Sequence, residues 1–262
     1  MRISISSVIA LMIVSTAPSI TENIFAAGAG DRLVGDTTYC NYPEQARTIP
    51  KIGDTLNPNM ETIVALKPDI VFVSTASQIE AFTKTLEANG IAVYVTNTVW
   101  LKDIYKNLID FGKIFDTKNI SEAIVENLKA RERAVGEKCD VAGAVGRIPV
   151  FVQISRELLF TVGGKSFIGQ LVGEAGGGLL TYSLQEAFPK LSKETASSMN
   201  PEAIILSDSE DNQVPNDAFR NSPAVKNGRV YKINADILSR PGPRLVDALE
   251  QIAKDLHPEK FK

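Results

Sequence analysis

Little in this 262-residue chain can make or break a covalent bond. Its one histidine, His257, falls in "LHPEK" near the C-terminus and reads as a surface residue closing a helix. A Ser-His-Asp triad needs its imidazole inside a cleft, and no GxSxG turn is available to present the serine. Cys40 and Cys139 stand 99 positions apart with no CxxC, so they read as neither zinc site nor disulfide framework, and a single bridge between them stays open. Capture of zinc or manganese by side chains usually calls on several His or Cys, so no metal site is expected. Gly28 and Gly30 in "GAGDRLVG" follow a predicted helix rather than a strand and leave GxGxxG incomplete, and GxxxxGKS/T does not occur. The expectation is a chain without enzymatic activity and without a cofactor.

What remains is binding chemistry, carried by polar and aromatic residues where predicted strands end. Pro18 and Ser19 follow the first strand, where the free N–H groups of the next helix could hold a ligand oxygen, or where the two residues only cap that helix. Tyr39 and Tyr42 flank Cys40 and Asn41 in a polar loop, and an aromatic there either packs on its own lobe or offers a flat face to a ligand. Phe188 is an apolar ring beside Pro189 in an otherwise polar connection, ligand-facing or a hydrophobic anchor. Trp100 reads as packing where the first lobe ends. In "NADILSRPGPRLVDA", Asp236 and Arg240 lie in a predicted loop stiffened by Pro241 and Pro243, presented to a ligand or paired with each other at the surface.

Two acids mark an internal repeat. "ETIVALKPDIVFVS", Glu61 to Ser74, recurs 133 positions later as "ETASSMNPEAIILS", Glu194 to Ser207. Glu61 meets Glu194, Thr62 meets Thr195, Leu66 meets Met199, Pro68 meets Pro201 and Asp69 meets Glu202. Identity is sparse, but the physical pattern is kept: an acid opening a short helix, a Pro that stops it, then a buried strand. The Gly stops echo as well, with Ala29 and Gly30 answered by Ala175 and Gly176.

The elements that must position these residues alternate strand and helix, which argues for mostly parallel sheets flanked by helices. An N-terminal α/β lobe spans 12–100, a helical connector 101–139 and a C-terminal α/β lobe 147–262. In the connector, "LKDIYKNLIDFGKIF" lines up Ile104, Leu108, Phe111 and Ile114 on one face. "NISEAIVENLKARERAVGEKC" then stays helical for roughly 30 Å at 1.5 Å per residue, with Asn119 and Glu122 as its capping pair. Two α/β lobes on such a rod leave a cleft, and ligands favour the carboxyl ends of parallel strands. A composition with 44% hydrophobic and 23% charged residues is globular, and a net charge of −3 gives no basic surface for nucleic acid. At the N-terminus, Arg2 followed by an apolar run reads as a secretory signal with cleavage near "STA". Ile13 to Ser15 also reads as a strand leading to a helix capped by Ser19 or Thr21. About eleven residues precede that strand, fewer than a usual signal, so the strand is favoured and the signal is expected to be atypical or truncated. No Cys follows the run in the manner of a lipid anchor, and no segment reaches the ~20 apolar residues of a membrane span.

"IVSTAPSITENIFAAGAGDRLVGDTTYCNYPEQA", "GDTLNPNMETIVALKPDIV", "LLFTVGGKSFIGQLVGEAGG" and "LSRPGPRLVDALEQIAKDLHPE" together resemble the helical-backbone periplasmic substrate-binding proteins of ABC transporters, closest to the cobalamin-binding branch. The resemblance implies two Rossmann-like lobes joined by a rigid α-helix, an interlobe ligand cleft, limited closure and delivery of ligand to a membrane permease. It implies ligand contacts at Pro18, Ser19, Tyr39, Thr55, Ser74, Phe188, Asp236 and Arg240. It also implies that Glu61 and Glu194 dock onto arginines of the permease dimer, as bidentate carboxylate–Arg pairing would suit. Thr55, Ser74 and Ile237 stand where aromatic rings are expected around a corrin. The expected ligand is a cobalamin-type corrinoid, with an iron–siderophore chelate or haem as the alternative. The protein is expected to be extracytoplasmic and monomeric, without a nucleic-acid partner. From other classes, a nitrogenase-like or chelatase-related α/β enzyme would place His or Cys in the cleft, and a stand-alone receptor sensor would leave the Glu61 and Glu194 surface dispensable.

Overall fold

The computed structural model describes residues 11–75, 79–139 and 146–262, the side chains of 79–81 excepted. The lower part of the predicted signal, residues 1–10, and much of "DVAGAVGR" lie outside these. Strand β1 (Ile13–Ser15) is wholly buried, as the strand reading of this segment requires. It is followed by α1 (Pro18–Ala26), β2 (Leu33–Gly35), α2 (Met60–Ala65), β3 (Ile70–Ser74), α3 (Ile79–Ala88) and β4 (Ala92–Thr96). Next come α4 (Leu101–Ile114) and the long α5 (Lys118–Cys139). The remainder is β5 (Ile148–Gln153), α6 (Phe167–Glu174), β6 (Gly177–Leu179), α7 (Lys193–Ser198), β7 (Ala203–Asp208), α8 (Pro223–Lys226), β8 (Val230–Asn234), α9 (Ala235–Leu238) and α10 (Leu245–Leu256).

Packing divides the described residues into two compact units, one of residues up to Asn97 with Tyr105–Ile124, the other of Thr98–Ile104 with Val125–Lys262. Each holds a four-stranded parallel sheet, ordered β2-β1-β3-β4 in the first and β6-β5-β7-β8 in the second. Val71, Phe72 and Val73 on β3 and Ala203 to Leu206 on β7 are 0–1% exposed, because helices cover both faces of a parallel sheet. The first unit's core closes on Phe72, whose ring meets Phe111 at 4.7 Å, Tyr94 at 5.3 Å and Phe115 at 5.6 Å. The predicted α4 stripe holds, with Ile104, Leu108 and Phe111 buried.

The repeat exists in the backbone. Asn59 caps α2 by accepting from the Thr62 N–H at 2.9 Å, and Ser192 caps α7 by accepting from Thr195 at 3.1 Å. Both helices run six residues and end before a residue in the left-handed region, Lys67 at φ 49° and Asn200 at φ 48°. Each left-handed residue precedes the shared Pro, and the next residue then donates its N–H back to the neighbouring strand, Asp69 to Met12 and Glu202 to Pro149.

Several expectations change. The first helix begins at Pro18, with Ala17 as an N-cap that makes no side-chain bond, so neither Ser19 nor Thr21 caps it. The Thr21 hydroxyl is turned inward to Ser15. The stop after α1 is Ala27 and Gly28 rather than Ala29 and Gly30. Gly28 at φ 79° matches Gly176 at φ 80°, each just past its helix where a left-handed residue ends the spiral. Helix α5 opens at Lys118 with the Thr117 carbonyl accepting from Ile120 and Ser121, so Asn119 and Glu122 form no capping pair. Glu122 faces Lys118 instead at 3.6 Å. Asp236 lies in the short helix α9 rather than a loop. His257 is not a surface residue: it ends α10 with a side chain 12% exposed, set against Gly176. Both cysteines are free thiols.

Candidate functional site

In each unit, exposed apolar side chains gather on the loops that leave the carboxyl ends of the strands. Beyond β2, Tyr39 is 58% and Tyr42 46% exposed, and Leu56 follows in the next turn. Beyond β5, β6 and β7 the second unit shows Leu158, Tyr182 at 69%, Phe188 at 44% and Val214. Leaving large apolar groups in water is unfavourable, so these loops are the candidate binding segments of each unit; Met12, Val95 and Ile120 are exposed elsewhere.

The first unit's loops rest on a buried polar base. Asp36 has no exposed surface, and Lys51 donates to its Oδ1 at 2.7 Å. The same ammonium donates to the Ala46 carbonyl at 2.8 Å and the Cys40 carbonyl at 3.3 Å. Three donors of one lysine thereby tie down both ends of the segment that carries Tyr42. Burial pushes the Asp36 carboxyl up to about 6 even though Lys51 opposes the shift. Burial likewise raises the Cys40 thiol, which keeps it protonated and unreactive.

Pro18 and Ser19 sit half-buried at the head of α1, and the Ser19 carbonyl accepts from the Asn23 amide at 2.9 Å. Thr55 is half-buried in a turn organised by Asp54, which accepts from the Leu56 and Asn57 N–H groups at 2.7 and 2.6 Å. Ser74 is half-buried at the end of β3. Pro18 and Ser19 open α1, and Tyr39, Thr55 and Ser74 are loop or strand-end residues of the same first unit.

In the second unit Phe188 meets the Phe167 ring edge-on at 6.3 Å, so one part of it anchors the loop while another stays in solvent. Its loop lies flat on Gly163 and Gly164, whose N–H groups donate to Ala187 and Tyr182. A Cβ on Gly163 would come within 2.1 Å of the Glu186 carbonyl, which explains a glycine there. Arg240 donates to Asp236 at 2.6 Å with its side chain 12% exposed, so the two predicted contacts form an ion pair with each other. Gln153, wholly buried, donates to Asn212 at 2.7 Å and to the Val214 carbonyl at 3.0 Å, fixing the loop after β7. Leu158, Tyr182 and Val214 were not singled out from sequence. Tyr182 depends on knowing where β6 ends, and "GGL" carries almost no strand signal; Leu158 and Val214 lie in loops after β5 and β7 with no local pattern to mark them.

Glu61 and Glu194 are both exposed in the first turns of their twin helices. The Glu194 carboxyl is held below its ordinary range by its own backbone N–H and the Ser192 hydroxyl. Among the described residues no cluster of three or more His, Cys, Asp or Glu could hold a metal ion, and no helix is long and apolar enough to cross a membrane.

A family model for periplasmic binding proteins matches residues 13–237. The chain belongs to this family. Periplasmic binding proteins of this kind are the substrate-binding components of ABC transporters, a transport rather than a catalytic role. An uncharacterized ABC transporter substrate-binding lipoprotein of Bacillus subtilis (strain 168), YvrC, is 29% identical over 95% of this chain and 81% of its own length. The crystal structure of the periplasmic vitamin B12 binding protein BtuF of Vibrio cholerae matches with a TM-score of 0.80 at 26% identity, over 97% of this chain and 99% of that one. A periplasmic heme binding protein from Pseudomonas aeruginosa matches with a TM-score of 0.84 at 21% identity, over 95% of this chain and 93% of that one, a likeness of fold alone. The periplasmic binding protein fold therefore serves B12 and haem binders alike, and the ligand has to be argued from side chains.

Proposed function

We propose that this chain is the extracytoplasmic binding protein of an ABC importer, that it binds a cobalamin-type corrinoid through its strand-end loops, and that it hands the ligand to a permease dimer. The observation that carries the ligand reading is the set of exposed aromatic rings on those loops, Tyr39 and Tyr42 in the first unit with Tyr182 and Phe188 in the second. Broad apolar rings with few charges suit a flat, largely uncharged macrocycle. The B12-binding relatives support the same reading. Binding is non-covalent, with the polar contacts of Ser19, Thr55, Ser74 and the Asp236–Arg240 pair setting orientation. The chain works as a carrier without catalytic activity.

Titrating the purified protein with cyanocobalamin, cobinamide, haemin and ferric siderophores, while following tryptophan and tyrosine fluorescence, tests this. Saturable binding of a corrinoid is expected, and binding of iron chelates alone would overturn the corrinoid reading. Haem is the second reading because the exposed Tyr39 and Tyr42 provide phenolic oxygens, a group that ligates haem iron, where the one histidine is mostly buried. Under that reading Tyr39→Phe or Tyr42→Phe changes the haem absorption spectrum. A corrinoid-only binder leaves no such spectrum to change.

Delivery is assigned to Glu61 and Glu194. Twin helices of the same length and capping present one carboxylate each, which suits two equivalent arginines on a two-fold permease. Reversing both to Lys is expected to abolish uptake in cells while leaving ligand affinity as it was. Unchanged uptake would refute this role.

A further inference from the structure

The hydroxyl and thiol groups beneath the first unit's loops form a single continuous chain. Thr21 Oγ1 donates to Ser15 Oγ at 2.9 Å, and Ser15 Oγ donates to the Ala17 carbonyl at 3.1 Å. Thr21 has only one hydroxyl hydrogen, and Ser15 receives it. The Cys40 Sγ lies 3.2 Å from Thr21 Oγ1 and 3.2 Å from Thr37 Oγ1. This leaves Thr21 Oγ1 as an acceptor for the thiol hydrogen and lets the Thr37 hydroxyl donate to the sulfur, with the Asp36 carboxylate as a second acceptor beside the thiol. The contacts are continuous from Thr37 through Cys40, Thr21 and Ser15 to the backbone of Ala17. Ser15, Thr21 and Thr37 are 0% exposed and Cys40 2%, so water cannot replace any link.

The two ends of that chain are two different loops. Ala17 is the N-cap of α1, directly before Pro18 and Ser19, and its carbonyl also accepts from the Ile20 and Thr21 N–H groups. Cys40 is the next residue after Tyr39, with its own carbonyl held by Lys51. We propose that Cys40 is a positioning residue for ligand binding, whose thiol couples the head of α1 to the Tyr39–Tyr42 loop so that both strand-end segments keep one shared geometry. The inference rests on the strand-end loops being the ligand site. It gives the buried thiol a role apart from disulfide formation, metal binding or nucleophilic attack.

Cys40→Val removes the link, stranding the Thr37 hydroxyl, and adds one carbon branch, whereas Cys40→Ser keeps one donor and an acceptor in place. The test measures cyanocobalamin, cobinamide and haemin binding for wild type and both variants, together with amide exchange over residues 17–21 and 38–46. With hydrogen-bond losses of the usual size, Cys40→Val is expected to weaken binding about tenfold, chiefly through faster dissociation. Exchange should quicken in both segments at once, and Cys40→Ser should restore both readouts to within about threefold of wild type. Equal affinity in Cys40→Val, equal losses in the Val and Ser variants, or wild-type affinity in Thr37→Val, which removes a hydroxyl without adding volume, overturns the proposal. If Cys40→Val does not fold, Thr37→Val removes one link and leaves the thiol–Thr21 bond, and a smaller loss of affinity is expected from it. Should wild type bind none of the three probes, the ligand reading has failed and exchange alone decides: quickening at 17–21 as well as 38–46 supports the coupling, and quickening confined to 38–46 sinks it.

Discussion

Replacing Lys51 by Met isolates the buried base of the Tyr39–Tyr42 loop. The ammonium makes three hydrogen bonds, to Asp36 at 2.7 Å, Ala46 at 2.8 Å and Cys40 at 3.3 Å, and it is the cation beside a carboxylate with no exposed surface. Breaking a buried pair by removing one partner usually costs about 3–5 kcal/mol, because the remaining charge is left without compensation. Here a proton can relieve that cost. Asp36 is already raised from 3.8 to about 6, so in wild type the folded chain holds this proton more tightly than the unfolded chain does. Its contribution to stability is fully present below about 4 and falls as pH climbs through about 6. Without Lys51, which opposes the shift, the carboxyl titrates at still higher pH and the fall continues further. The destabilisation of Lys51→Met should therefore be small at pH 5 and approach about 3–5 kcal/mol at pH 8. Urea unfolding at both pH values measures it. An equal loss at pH 5 and pH 8, or a loss under about 1 kcal/mol at pH 8, would refute the reasoning.

Other expectations follow from particular contacts. Phe111→Ala, which empties the centre of the ring cluster around Phe72, should cost about 3–5 kcal/mol in urea unfolding. Lys67→Gly should stabilise by about 1 kcal/mol, because a β-carbon is strained at φ 49°, and Asn200→Gly at the equivalent position should gain less, since Asn tolerates that region. Glu174 is raised to about 7 by burial and by nearby Glu132, so its contribution to stability declines as pH rises from about 4.5 through about 7. Glu174→Gln should flatten the melting temperature between pH 5 and pH 8 and raise it at the upper end. Arg131→Met removes the paired bonds to Glu250 at 2.9 and 2.8 Å and the contact to Asp247 at 2.6 Å. It should loosen α5 from α10 and show as faster exchange of their amides, with a cost near 1 kcal/mol because the groups are partly in solvent.

What could be read from sequence was whatever a local period or a stereochemical stop encodes. The helix–Pro–strand unit at Glu61 and Glu194 was legible because a Pro preceded by a strained residue and followed by a buried apolar run leaves the chain few alternatives. The apolar stripe of α4 and the strands β1, β3 and β7 were legible for the same reason, whereas the surroundings of Tyr39 and Phe188 were left open between packing and exposure. Misreadings came where equally good local signals competed. Ser19 and Thr21 both look like helix caps, but a Pro at the first helical position and the inward pull of Ser15 and Cys40 move the cap to Ala17. Strand β6 is two glycines and a leucine, and only its register with Ile148 to Val150 makes it a strand.

The sequence by itself determined the order of elements, the repeat and the loops on which most candidate binding residues sit, because those depend on neighbours within a few turns of chain. Only the tertiary structure decided which of those residues act together. Lys51 reaches Asp36 across fifteen residues, Cys40 reaches Thr21 across nineteen, and Arg131 reaches Glu250 across 119. Such pairs have no period to announce them: the first two form because parallel strands bring distant loops to one edge, where a buried polar group must find its partner or lose more than it gains, and the third forms because α10 lies along α5.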